Sequence, residues 1–151
     1  MYACCRVSHT LFTFSARACK VPRATVGRAR NEFPAGIKRV LANRVGTRCS
    51  NSDCQRTTSG PNSDPEKAVN IGVAAHITAA AAGGPRYDAG LSPEERRSAE
   101  NGIWLCQTCA KLIDNDPERY HSELLWEWKR GAEERALATS RHTVLVKTLV
   151  N

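Results

Sequence analysis

Two pairs of cysteines constrain this chain more than any other feature: Cys49 and Cys54 in RCSNSDC, and Cys106 and Cys109 in WLCQTC. Each pair falls within one tight turn, so the second thiolate binds at little further cost in chain entropy. C-x4-C and C-x2-C both lie within the ligand spacing of structural zinc. Four thiolates around one Zn2+ would clamp together everything between residues 49 and 109. Ordinary buried or free thiols are a fair reading of either pair alone, and a weaker one of both together. A secreted disulfide framework fits poorly, because the seven cysteines are odd in number, Cys4 and Cys5 are adjacent, and no convincing signal-peptide core precedes them. A reducing, cytoplasmic setting is therefore expected. Cys4, Cys5 and Cys19 have no partner spacing and are assigned no role.

At 151 residues the chain suits one small domain with extensions, or two very small ones. With 41% hydrophobic and only 6% aromatic residues its core should be thin, the circumstance in which a metal staple contributes most. No apolar run approaches the length of a membrane-spanning helix. The net charge of +7 is concentrated at one end. Residues 1–48 hold ten basic side chains against the single acid Glu32, and the remainder is slightly acidic. A basic arm of this kind suits phosphate contacts, and equally a solvated tail.

Residues 1–33 show no clean periodicity and read as a disordered basic segment; their Arg- and Ser-rich composition also resembles a transit peptide or non-native upstream sequence. A domain is expected over 34–140, with 141–151 as a tail readable as a strand or as the start of something further. Within the domain, GIKRVLANRVG has apolar residues at helical spacing and a glycine stop. TTSGPNSDP reads as a loop, AVNIGVAAHI as a strand ending near His76, and GGPRYDAG as a second loop. Ser92-Pro93-Glu94-Glu95 carries a capping box and predicts a helix running toward Asn101. IWLC predicts a strand into the second knuckle, CAKLID a helix after it, and residues 120–138 a last amphipathic helix. The fold class expected is α+β: a small zinc-stapled core flanked by helices.

Between the two knuckles lie the candidates for chemistry. His76 in GVAAHIT could be a packed or surface histidine, but its place inside the clamp favours a role. Arg86 follows two glycines in GGPRY, where it could grip a phosphate or simply be exposed. Asn101, in an NG dipeptide, is also an ordinary turn residue. Trp104, Trp126 and Trp128 read as packing residues, since no basic run is interleaved with them.

These residues together resemble the HNH endonucleases, in particular a bacterial branch of them. The matching elements are Cys49-x4-Cys54, His76 in AAHI, Asn101 in NGIWLC, and Cys106-x2-Cys109 leading into a helix with LID. The resemblance covers about residues 36–130 and implies a zinc-stapled ββα-metal fold that hydrolyses DNA phosphodiester bonds. It implies that His76 is the general base, that Asn101 holds the base in place, and that a catalytic Mg2+ or Mn2+ sits on the helix side. Two family positions depart from the pattern: Ala110 stands where a histidine follows the second knuckle, and Ala75 stands where a ligand often precedes the base. Asp114, one turn beyond Ala110, falls where related proteins also place a ligand, and could instead simply end its helix. Asp116 could assist it, or cap the last helix.

The expected function is thus a metal-dependent endonuclease with nucleic acid, in the first place DNA, as partner and no membrane. A catalytically inactive zinc-bound nucleic-acid-binding module is the alternative that Ala75 and Ala110 favour. A purely structural zinc domain is a third reading, favoured by the acidic balance of residues 49–151.

Overall fold

The computed structural model describes residues 31–149, and side chains to 141. The described residues form four helices and two small antiparallel sheets, an α+β architecture. Helix α1 spans Ala35–Arg44. Strands β1 (Ser59–Pro61) and β2 (Ala68–Asn70) pair into one hairpin, and β3 (Gly72–His76) and β4 (Gly102–Cys106) into another ladder. Helix α2 (Pro93–Arg96) lies in the long connection between β3 and β4. Helices α3 (Gln107–Asn115) and α4 (Ser122–Leu149) follow.

Strand β4 organises the core. All five of its residues are buried, and alternation sends neighbouring side chains to opposite faces. Ile103 and Leu105 join Cys49, Ile77, Cys109, Ile113, Leu125 and Trp128 on one side, a cluster that Cys106 enters from the end of the strand. Trp104 joins Leu41, Ala42, Val45 and Ala132 on the other. Helix α4 thus serves both clusters, through Leu125 and Trp128 and then Ala132. Gly102 is where α1 crosses the strand: a Cβ there would lie 2.5 Å from Leu41 and 3.1 Å from Phe33.

Several boundaries differ from the sequence reading. The strand expected over AVNIGVAAHI divides at Ile71 into β2 and β3, which belong to separate sheets. The Ser92 capping box forms, but α2 ends after one turn instead of reaching Asn101. Arg96, its last residue, is buried and donates to the Leu91 and Asp88 carbonyls, the latter at 2.7 Å, tying the helix back to the loop before it. Asp116 does not cap α4. It ends α3, and its carboxylate accepts from the Arg119 backbone N–H (3.2 Å). The segment 142–149 continues α4 as helix. Packing begins ahead of residue 34, since Phe33 is buried and Asn31 bonds the Ala80 carbonyl; the expectation of disorder otherwise falls on residues 1–30, outside the described residues.

Candidate metal centre and adjoining cleft

The first knuckle is a turn closed by an isolated bridge between Arg48 and Thr57. Cys49 N–H donates to Arg56 O (2.9 Å), while Cys54 and Gln55 N–H groups both donate to Asn51 O (3.1 Å). Gln55 closes the turn with φ of 46°. The second knuckle is built differently. Cys106 ends β4 and caps α3, its Sγ accepting from Cys109 N–H at 3.5 Å. A helix N-terminus offers unsatisfied N–H groups and positive potential, both favourable to thiolate.

The four Sγ atoms all lie within 4.8 Å of one another, with Cys54 and Cys106 at 3.9 Å. That separation is far beyond the ~2.05 Å of a disulfide. It is close to the edge of a tetrahedron with metal–sulfur bonds of about 2.3 Å. The four cysteines can therefore hold one metal ion. Burial pushes the Cys49 thiol up to about 11, against hydrogen bonds that stabilise its thiolate. Burial likewise pushes Cys109 far up. Cys54, nearest the surface, is pulled down to about 7 because hydrogen bonds from the Arg56 backbone and the other sulfurs outweigh its burial. Several thiolates in one desolvated pocket are unfavourable on their own, a cost that a bound dication removes.

Asn51 completes this centre and was not foreseen. Its Nδ2 donates to Cys109 Sγ (3.3 Å) and its Oδ1 accepts from Asp53 N–H (2.9 Å). One buried side chain therefore shapes the first knuckle and tethers the second. The legible signal was an Asn two positions after Cys49, where Asx turns form.

Asn101 sits on the turn into β4, 3% exposed. Its Oδ1 accepts from the Thr78 N–H (2.9 Å) and hydroxyl (2.8 Å), and its Nδ2 donates to the carbonyls of Thr78 (3.0 Å) and Arg96 (3.2 Å). It thus joins the segment after His76 to the start of β4. Lys129, another unforeseen contributor, holds the same turn from α4, donating to the carbonyls of Ala99, Glu100 (3.1 Å) and Gly102 (2.6 Å).

His76 closes β3. Its ring stacks on Phe33, centroids 3.9 Å apart and planes within 12°. Its Nε2 lies 2.9 Å from Asn31 O. A cleft of about 600 Å³ brings His76 together with Ala75, Arg86, Ala110 and Asp114. Asp114 is 62% exposed on α3. Arg86 has φ of 55° and a side chain only 6% exposed, so it is not an ordinary surface arginine. It donates to the carbonyls of Ile77 and Ile113, each at 2.7 Å, and of Tyr120 at 3.2 Å. Its Nη2 stands 3.9 Å from Asp114. Ala75 and Ala110 present methyl groups packed against the core.

No helix among the described residues is long and apolar enough to cross a membrane. No family model matches the chain, and no curated protein does.

Proposed function

We propose that the protein is an HNH-type endonuclease acting on nucleic acid, DNA in the first place, within a frame stapled by zinc at Cys49, Cys54, Cys106 and Cys109. The observation that carries this reading is the cleft that His76 and Asp114 share. One residue comes from the end of β3 and the other from α3, and a histidine with a carboxylate suits phosphodiester hydrolysis.

His76 is the base. A backbone carbonyl can only accept, so the contact with Asn31 O places a proton on Nε2, which in the neutral imidazole is the Nε2–H tautomer. Nδ1 then carries the lone pair that takes a proton from the attacking water. Phe33 fixes the ring plane by stacking. Asn101 acts at one remove, tying the residues after His76 to β4. For a catalytic cation the donor set is sparse: Asp114 offers a carboxylate, and Ala75 and Ala110 offer none. Mg2+ or Mn2+ suits such a site, since waters and substrate phosphate can complete its shell, and when bound it would stabilise charge on the scissile phosphate and leaving oxygen. The basic N-terminal segment supplies nonspecific phosphate attraction in this reading.

The test is cleavage of plasmid and of single-stranded oligonucleotide by the zinc-loaded chain with Mg2+ or Mn2+, beside His76→Ala. Loss of a general base costs about 10²–10⁴-fold. Cleavage that survives His76→Ala removes His76 from the role. A second reading, a non-cleaving nucleic-acid-binding module, is favoured by the methyl groups at Ala75 and Ala110; salt-sensitive binding without cleavage would establish it.

A further inference from the structure

An arginine whose charge is withdrawn from water and whose backbone is left-handed is doubly costly, and neither cost is needed for a surface contact. Arg86 accepts both, with φ of 55° and a side chain 6% exposed. In return its guanidinium spans the two walls of the cleft. Nε bonds the carbonyl of Ile77, the residue after His76. Nη1 bonds the carbonyl of Ile113, the residue before Asp114, and also that of Tyr120. Nη2 remains on the side of the Asp114 carboxylate, at 3.9 Å.

We propose that Arg86 is a positioning residue: it couples the strand end carrying His76 to the helix carrying Asp114 and sets the gap between them. This rests on the nuclease reading for its catalytic consequence, while the coupling itself does not. The expected duty of gripping substrate phosphate is a poorer fit, because two of the three guanidinium nitrogens already serve protein carbonyls. The planar fork is essential to the arrangement. Three carbonyls and a carboxylate lie along separate directions, which a single ammonium on a flexible stem does not span. Gly83, at φ of 82°, and Gly84, where a Cβ would come within 2.7 Å of the Ala79 Cβ, let the loop fold closely enough for Arg86 to turn inward.

The experiment compares the zinc-loaded chain with Arg86→Lys and Arg86→Ala, reading turnover, DNA affinity against salt, and the His76 ring ¹⁵N signals that report its tautomer. Arg86→Lys should keep the zinc and the DNA affinity, lose about 10–100-fold in kcat as supporting-residue changes do, and disturb the His76 signals. Added guanidinium should restore part of the loss in Arg86→Ala. The proposal is overturned if Arg86→Lys weakens DNA binding and lowers the salt slope by about one with turnover unchanged, the mark of a phosphate contact. It is also overturned if stability falls while His76 signals and turnover per folded molecule stay the same, or if Arg86→Lys no longer folds. Should the wild-type chain cleave nothing, the nuclease reading falls, and the His76 signals alone decide the coupling.

Discussion

Replacing Asn101 tests the frame around His76 most directly. The side chain is 3% exposed and makes four hydrogen bonds, two accepted and two donated. Asn101→Ala leaves the Thr78 N–H and the Thr78 and Arg96 carbonyls without their partner; the Thr78 hydroxyl can turn elsewhere. An unsatisfied buried group costs about 1–3 kcal/mol, and Thr78 is only half-buried, so water will recover part of that. A loss of about 2–4 kcal/mol follows, a large share of the ~5–15 kcal/mol typical of a domain. Asn101→Asp separates polarity from size. It keeps an acceptor for Thr78 but turns a carboxylate toward two carbonyls. That raises the carboxyl pKa above its unfolded value, so the folded state holds its proton more tightly. The Asp variant should therefore come nearest the wild type at low pH, and lose further stability as pH rises from the unfolded pKa through the folded one. Urea denaturation at fixed free zinc, necessary because bound metal adds to stability, measures both. A loss under about 1 kcal/mol for Asn101→Ala, or an Asp variant without the pH trend, would refute the hydrogen-bond account.

Metal analysis should find about one zinc per chain, and Cys106→Ser, which removes a thiolate while keeping an oxygen that can cap α3, should abolish stoichiometric binding. Gly72→Ala would drive a Cβ into the Trp104 indole and to 2.8 Å from Thr58 Oγ1, atoms joined by a 2.9 Å hydrogen bond; a loss of about 1–3 kcal/mol or more by thermal unfolding is expected. Glu133 is held below its ordinary carboxylate pKa by its hydrogen bond from Arg44, against partial burial. The pair is partly exposed, so Glu133→Gln should cost only about 0.5–1 kcal/mol at neutral pH. That difference should shrink in high salt and disappear as pH falls through the depressed Glu133 pKa, both readable by denaturant midpoints.

What could be read from the sequence was whatever depends on short-range spacing. The cysteine pairs gather because each needs only its own turn, and the distance between pairs is then fixed by β4. Helices α1 and α3 follow from apolar spacing and a stop residue. Arg86 could not be read in the same way. Glycines before it signalled a close backbone approach, but whether the guanidinium would face water or protein depends on carbonyls of Ile113 and Tyr120, distant in sequence. Lys129 poses the same problem from α4: its helical spacing marks an exposed or flanking position, while its partners belong to the turn at Ala99–Gly102. Asn31 and Phe33 were hidden for another reason, since nothing in a segment without periodicity announces that it lies against His76.

The contacts around the cleft share one property. Asn31, Phe33, Arg86, Asn101 and Lys129 all bind backbone carbonyls or pack on a ring near the cleft, and none of them is a zinc ligand. The metal cluster and the cleft are therefore held by separate sets of bonds that meet at β4 and α3. A change at Asn101 or Arg86 should disturb His76 while leaving four-thiolate binding intact. Loss of the metal should disturb both, because α3 carries Cys109 as well as Ala110 and Asp114 of the cleft, and β4, which ends in Cys106, pairs with the strand that carries His76. Cobalt substitution, which reports thiolate geometry by its absorption, read together with His76 NMR on the same samples, distinguishes the two directions. Coupling that ran equally from Asn101 to the thiolates would show that the frame is one cooperative unit and not two.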